Sequence, residues 1–112
     1  MVIKNLTNKN ILSIDAKICS SIFDKLLGML NKNNPRTLIF YTRFGVHTFG
    51  LIKPIDVLVL DKQDRVVKLK KSLKPNSLFF WNPKYSLVIE VPEKTIEKTK
   101  TYIGDKMIIE SS

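Results

Sequence analysis

The sequence predicts a mainly β, single-domain protein, built as an antiparallel β-sandwich or flattened barrel of about seven to eight strands with one short α-helix. Three observations predict it. The chain has 112 residues, a length typical of one domain with one core. Most apolar residues recur at every second position, which is the period of a strand. One stretch, over about residues 21–30, has helical spacing instead. We therefore expect one domain over residues 1–112.

The first third of the chain changes from strand spacing to helical spacing. The strand predicted over residues 11–19 has one apolar face, formed by Leu12, Ile14, Ala16 and Ile18. Cys19 falls on its opposite, polar face, just before the predicted helix. The helix over residues 21–30 is indicated by apolar residues every four positions, at Ile22, Leu26 and Leu30.

The other strands follow in order along the chain. They are predicted over residues 37–44, 46–52, 55–60, 65–71, 86–91 and 106–110. Residues 37–44 are apolar on both faces, which indicates a central strand. The turn sequence DKQD joins residues 55–60 and 65–71 in a hairpin. Residues 95–100 predict one short helical turn capped by Thr95.

The order of these landmarks resembles a known family. DKLLGML is followed by TLIFYTRFGVHTFGLIKPIDVLVLD, then by VIEVP and IGD. Over nearly the whole chain, from about Ile11 to Ile109, the sequence resembles the uncharacterised prokaryotic family catalogued as domain of unknown function 192. HTFGLIKPIDVLVLD is the most specific part of the resemblance. The resemblance implies a mainly β, sandwich-like fold, and it implies no established activity.

Polar residues interrupt three apolar stretches. His47 begins one apolar stripe, Asp56 begins another, and Glu90 lies near the end of strand 86–91. A buried carboxylate needs hydrogen-bond donors, and His47, Arg43 and the backbone N–H groups of turns can supply them. If these groups converge, they form a small polar ligand-binding site at the strand ends. The alternative is a structural cluster that holds loops and strand ends in place.

The sequence contains no strong catalytic or metal-binding motif. One cysteine, Cys19, excludes an intramolecular disulfide and a zinc site made of cysteines. One histidine gives no closely spaced ligand pair, and four scattered glycines give no phosphate-binding loop. We therefore expect no metal, no cofactor and a non-catalytic binding module. The enzymatic alternative is a small enzyme that uses His47 and a carboxylate as acid and base.

Residues 65–85 carry basic side chains and aromatic rings but no acidic residue. The net charge of +9 favours encounter with polyanions or acidic proteins. The candidate surface residues are Arg65, Lys68, Lys70, Lys71, Lys74, Phe79, Phe80 and Trp81. Lysines beside stackable rings are typical of a surface that binds single-stranded nucleic acid. Alternatively, the lysines protect an edge strand from aggregation and the rings fill one end of the sandwich.

The N-terminal sequence MVIKNLTNKN lacks the apolar stretch of a signal peptide, and no apolar run has the length of a membrane-spanning helix. A single cysteine suits a reducing compartment. We expect a cytoplasmic protein with no membrane partner. Its expected partners are a small-molecule ligand, a polyanion or an acidic protein.

Overall fold

The structure, a computed structural model, describes residues 1–19, 37–43, 45–49 and 51–111. These residues form ten strands and one short helix, so the mainly β prediction is confirmed. The strands are β1 (Val2–Asn5), β2 (Ile11–Ser13), β3 (Lys17–Ile18), β4 (Leu38–Tyr41), β5 (Val46–His47), β6 (Ile55–Leu60), β7 (Val66–Leu73), β8 (Leu78–Phe79), β9 (Leu87–Pro92) and β10 (Met107–Glu110). The helix is α1 (Thr95–Lys98). The helix predicted over residues 21–30 lies outside the described residues.

A five-stranded sheet in the order β3-β4-β9-β6-β7 forms the middle of the molecule. Only the β3–β4 pair is parallel among the described strands of this sheet. All six residues of β6 are buried, because this strand has neighbours on both sides and cover on both faces. A three-stranded sheet, β10-β1-β2, and a two-stranded sheet, β5-β8, complete the described strands.

Two hydrophobic cores lie on opposite faces of the five-stranded sheet. In the first core, Leu58 and Leu60 of β6 pack with residues of the three-stranded sheet and of α1. In the second core, Val57 and Val59 pack with residues of β5 and β8. Successive strand residues point to opposite faces, so β6 supplies both cores from the apolar run of residues 57–60. The result is three layers of strands, with the five-stranded sheet in the middle.

The hairpin of β6 and β7 follows the sequence prediction. Asp61 Oδ1 accepts the backbone N–H groups of Gln63 and Arg65, both at 2.9 Å, and thereby fixes the turn. The register shifts between Val59 and Leu60, which is a β-bulge. Val66 is paired with Leu60 and Lys68 with Val59, so Val67 is the extra residue of the bulge.

The single strand predicted over residues 11–19 is wrong. The segment is two short strands in different sheets, β2 and β3, and Ile14 between them is 71% exposed. The chain bends there because Ser13 Oγ donates to Asp15 Oδ1 and accepts the backbone N–H of Asp15. The bend also overturns the placement of Cys19 on a polar face, since Cys19 is buried in the second core.

The strand predicted over residues 46–52 is much shorter than expected. It ends after His47, because the Thr48 side chain turns the chain toward the loop before β8. Thr48 Oγ1 donates to the carbonyl of Lys74 at 2.6 Å and accepts the N–H of Ser77 at 2.8 Å. These bonds place the loop around Lys74 beside β5.

Candidate functional site

Asp56 is buried in β6, and backbone groups satisfy its carboxylate. Oδ1 accepts the N–H of Ser72 near the end of β7 at 2.9 Å. Oδ2 accepts the N–H of Ile96 in the first turn of α1 at 3.0 Å. The first N–H groups of a helix have no partner within the helix, so Asp56 supplies one of them with an acceptor. The predicted cap Thr95 does not do this; its hydroxyl donates to the carbonyl of Pro92 at 2.7 Å.

Glu90 is also buried, with 4% of its surface exposed, but it lies on the other face of the sheet. In the β6–β9 register, Asp56 is paired with Val91, and Val57 is paired with Glu90. Directly paired residues point to the same face, and neighbours along a strand point to opposite faces. Asp56 therefore faces the first core and Glu90 faces the second. The structure does not bring the two carboxylates together.

His47 and Arg43, the other two predicted site residues, occupy separate places. The His47 ring stacks on the Phe49 ring with 4.8 Å between centroids and 24° between planes. His47 Nδ1 accepts the backbone N–H of Phe49 at 3.4 Å. Arg43 follows β4 and is exposed at one end of the central sheet. Among the described residues, no group of three or more His, Cys, Asp or Glu side chains is placed to hold a metal ion.

The aromatic triplet FFW divides between the core and the surface. Val46 pairs with Phe79 across β5 and β8, and both are buried in the second core. Trp81 is buried there too, and its indole N–H donates to the carbonyl of Tyr85 at 2.8 Å. Phe80 between them is 58% exposed. Phe79 and Trp81 are therefore core residues, and the two-residue alternation of the triplet was the sequence signal for this division.

Phe80 is held against the backbone of Gly45. A Cβ on Gly45 would lie 2.6 Å from the Phe79 carbonyl oxygen and 2.7 Å from Phe80 Cδ1, so only glycine fits beneath this ring. Lys68 Nζ donates to the carbonyl of Phe80 at 2.7 Å and lies 4.9 Å from the centroid of the Phe79 ring. Lys68 thus links the edge strand β7 to β8.

The basic side chains of the predicted surface differ in whether they contact the rest of the described chain. Lys68 has the two contacts described above, and Arg65 Nη1 donates to the carbonyl of Gly104 at 3.0 Å. Lys70, Lys71 and Lys74 are exposed, and none of them makes a side-chain hydrogen bond or ion pair within the described part of the chain. These three ammonium groups are available to a partner.

Exposed side chains also lie on the outer layer formed by β5 and β8, and Lys70 of β7 is paired with Val57, so it points to the side of the central sheet that carries this layer. His47 and Leu78 are paired on the outward face of the β5–β8 sheet, while their neighbours point into the second core. Phe49 is 52% exposed. We define the basic face by Lys70, Lys71 and Lys74 together with His47, Phe49, Leu78 and Phe80. The segments that form it, residues 45–49 and 65–85, contain no acidic residue.

Two solved structures have a similar fold. A crystal structure of a protein of unknown function from Novosphingobium aromaticivorans superposes with a TM-score of 0.77 at 11% identity, over 96% of this chain and 82% of that chain. A protein from Sinorhizobium meliloti 1021, provisionally described as a transcription regulator, superposes with a TM-score of 0.73 at 10% identity, over 96% of this chain and 89% of that chain. Identities this low show a shared fold alone.

Sequence relatives identify the family. The UPF0127 protein PH1112 of Pyrococcus horikoshii is 30% identical over 99 residues, covering 83% of this chain and 85% of that protein. The UPF0127 protein PYRAB11210 of Pyrococcus abyssi is 30% identical over 97 residues, covering 81% and 82%. The chain belongs to the UPF0127 family, which is uncharacterised. No family model matches the chain. Within the described residues, no helix has the length and apolar character needed to cross a membrane.

Proposed function

We propose that the protein is a non-catalytic binding module that holds single-stranded nucleic acid on the basic face. The observation that supports this most directly is that the acid-free segments 45–49 and 65–85 carry two exposed rings, Phe49 and Phe80, together with three lysines that have no partner among the described residues. Lysines neutralise phosphates and release counterions, while exposed rings stack on unpaired bases. A surface that has both lysines and exposed rings can therefore contact the phosphates and the bases of a single strand.

Contacts with neighbouring residues hold the Phe49 and Phe80 rings in place before a ligand binds. Lys68 fixes the backbone of Phe80, and the close approach to Gly45 restricts where the Phe80 ring can lie. The His47 ring stacks on Phe49 and orients it. Neither exposed ring belongs to either of the described hydrophobic cores, so these rings are not needed to fill a core. Rings held in place before binding lose little conformational freedom on binding.

A small ligand at the predicted strand-end residues is the second candidate function. Arg43 alone among them favours it, because this residue lines an open groove. Asp56 and Glu90 lie on opposite faces of the sheet, and the Asp56 oxygens are engaged by backbone N–H groups. Within the described residues, His47 makes no hydrogen bond to a carboxylate, which favours binding over the acid-base enzyme alternative.

We infer from the stretch HTFGLIKPIDVLVLD that the chain also falls within the family catalogued as domain of unknown function 192. We further propose that the chain acts in the cytoplasm as one domain over residues 1–112, which its single, buried cysteine supports.

The test is fluorescence anisotropy with a labelled single-stranded RNA of mixed sequence, about 12 nucleotides long, a length within the site sizes of such modules. With three lysines on phosphates, the logarithm of the association constant should fall with the logarithm of salt concentration with a slope of about −2. The Phe80→Ala substitution should weaken binding about 5- to 150-fold, because stacking of one base contributes roughly 1–3 kcal/mol. Lys70→Ala should weaken binding and make the slope less steep.

Lys98→Ala is the charge-matched control. Lys98 is an exposed lysine of α1, and α1 packs on the first core, on the other side of the sheet from β5 and β8. This substitution should leave RNA affinity unchanged. The proposal fails if no binding is seen at about 50 mM salt, where phosphate contacts are strong. It also fails if Lys70→Ala weakens binding while Phe80→Ala does not, because the surface would then recognise charge alone, as in an acidic protein partner.

A further inference from the structure

An open groove lies at one end of the central sheet, away from the stacked rings of the basic face. Its walls come from the end of β4, the turn between β6 and β7, and the segment that enters β9. The cavity volume is about 230 Å³. The side chains that matter here are Tyr41, Arg43, Lys62, Lys84 and Tyr85, above an apolar floor that includes Leu60.

The groove is built on fixed backbone. The N–H of Thr42 donates to the carbonyl of Ser86 at 2.9 Å, which joins the wall after β4 to the wall before β9. Asp61 Oδ1 holds the turn that carries Lys62. The buried indole of Trp81 donates to the carbonyl of Tyr85 and so anchors the third wall to the second core. The groove therefore exists before any ligand arrives.

The groove combines positive charge with aromatic surface. Arg43 and Lys62 make no side-chain hydrogen bond or ion pair within the part of the chain that the structure describes. Lys84 Nζ lies 5.8 Å from the centroid of the Tyr85 ring, so a third cation stands beside a ring. Tyr41 is 69% exposed.

Two carboxylates, of Asp61 and Asp64, reduce the positive charge of the groove but do not cancel it. One oxygen of Asp61 is already engaged by the turn. With three cations against two carboxylates, the groove keeps an excess of one positive charge. Its charge therefore favours a small anion over a cation.

We propose that the groove binds a small organic anion, a phosphate ester or a carboxylate attached to a planar ring. The guanidinium of Arg43 can form two parallel hydrogen bonds to either anionic group, and the tyrosine rings can contact the planar body. The volume is below that of typical drug-sized pockets, about 300–1,000 Å³, which limits the ligand to roughly one ring and its anionic group. This inference does not depend on nucleic acid binding by the basic face.

The experiment is a titration of the ¹⁵N-labelled protein with phenyl phosphate, benzoate and inorganic phosphate, followed by two-dimensional NMR. We expect phenyl phosphate or benzoate to shift the side-chain Nε–H signal of Arg43 and the amide signal of Ser86, with a dissociation constant of about 1 mM. Arg43→Ala should weaken this binding at least about tenfold, which is a loss of 1.4 kcal/mol. Tyr41→Ala should weaken it several-fold, and its exposed ring can be removed without disturbing the core.

Lys74→Ala separates this site from the basic face. It should weaken binding of the RNA but leave the phenyl phosphate titration unchanged, whereas Arg43→Ala should do the reverse. Tighter binding of phenyl phosphate than of benzoate supports a phosphate ester, and the opposite order supports a carboxylate. The proposal is overturned if neither ring compound shifts these signals at about 10 mM, ten times the expected dissociation constant. It is also overturned if inorganic phosphate binds as tightly as the tighter of the two ring compounds or if Arg43→Ala has no effect.

Discussion

The carboxylate of Asp56 in β6 accepts a hydrogen bond of 3.0 Å from the backbone N–H of Ile96, which lies 40 residues later in the first turn of α1. Its second oxygen accepts the N–H of Ser72 at 2.9 Å. A charged group occurs in an otherwise apolar strand because two backbone donors from other elements meet it there. The interaction joins β6, the end of β7 and α1, which are distant in sequence.

Asp56→Asn should lower the free energy of unfolding by about 2–3 kcal/mol, because an amide offers one oxygen to two N–H groups and removes the charge from both bonds. Urea unfolding followed by circular dichroism measures the change. Asp61→Asn is the matched control. Both N–H groups reach the same Asp61 oxygen, which asparagine can keep, so its loss should be smaller. An unchanged stability of Asp56→Asn together with weakened RNA or anion binding would show that Asp56 serves a ligand instead.

Asn8→Asp should destabilise the protein by about 1–3 kcal/mol, because it places a carboxylate oxygen against two carbonyl oxygens. The Asn8 amide nitrogen donates to the carbonyls of Thr99 and Lys100 at 2.8 and 2.9 Å, joining the loop after β1 to the end of α1. Asn82→Asp is the control, since the Asn82 oxygen accepts the N–H of Lys84 and its amide nitrogen has no partner in the described chain. Thermal unfolding at neutral pH compares them. Equal losses in the two variants would contradict this role for Asn8.

Gly45→Ala should destabilise the protein more than Gly104→Ala. Both glycines have positive φ, +112° and +95°, so both substitutions carry the backbone penalty of roughly 1–2 kcal/mol. Only at Gly45 does the added Cβ also clash, with the Phe79 carbonyl and the Phe80 ring, which adds about 1–3 kcal/mol of overpacking. Chemical denaturation measures the difference. Gly45→Ala should also weaken RNA binding by moving Phe80, whereas Gly104→Ala should not. Equal effects of the two substitutions on stability would contradict the close contact of Gly45 with the Phe79 carbonyl and the Phe80 ring.

The hairpin of β6 and β7 shows what was predictable along the chain. The mostly apolar strand of residues 55–60, the DKQD turn and the returning strand are local patterns, and each appears in the structure as expected. The segment of residues 11–19 shows where local pattern fails. Its alternation is regular, but a bend at Ser13 and Asp15 sends its two halves to different sheets. Periodicity records the face of each residue and not the sheet that the residue joins.

The predicted strand-end cluster rests on sequence position alone, and only the tertiary structure decides which of its members meet. The β6–β9 register places Asp56 and Glu90 on opposite faces, since a shift of one residue changes the face of every side chain. The partners of Asp56 are backbone groups of Ser72 and Ile96, and no side-chain pattern in a sequence identifies a backbone donor far along the chain.

The sequence by itself determined the mainly β class, the β6–β7 hairpin, the excess positive charge and the acid-free stretch of residues 65–85, because composition and local periodicity carry this information. The tertiary structure decided that Phe79 and Trp81 fill a core while Phe80 stays exposed, and that Arg43 joins Lys84 at one groove. These outcomes depend on strand register and layer packing. Both are fixed by contacts between residues far apart in the chain, which local sequence does not encode.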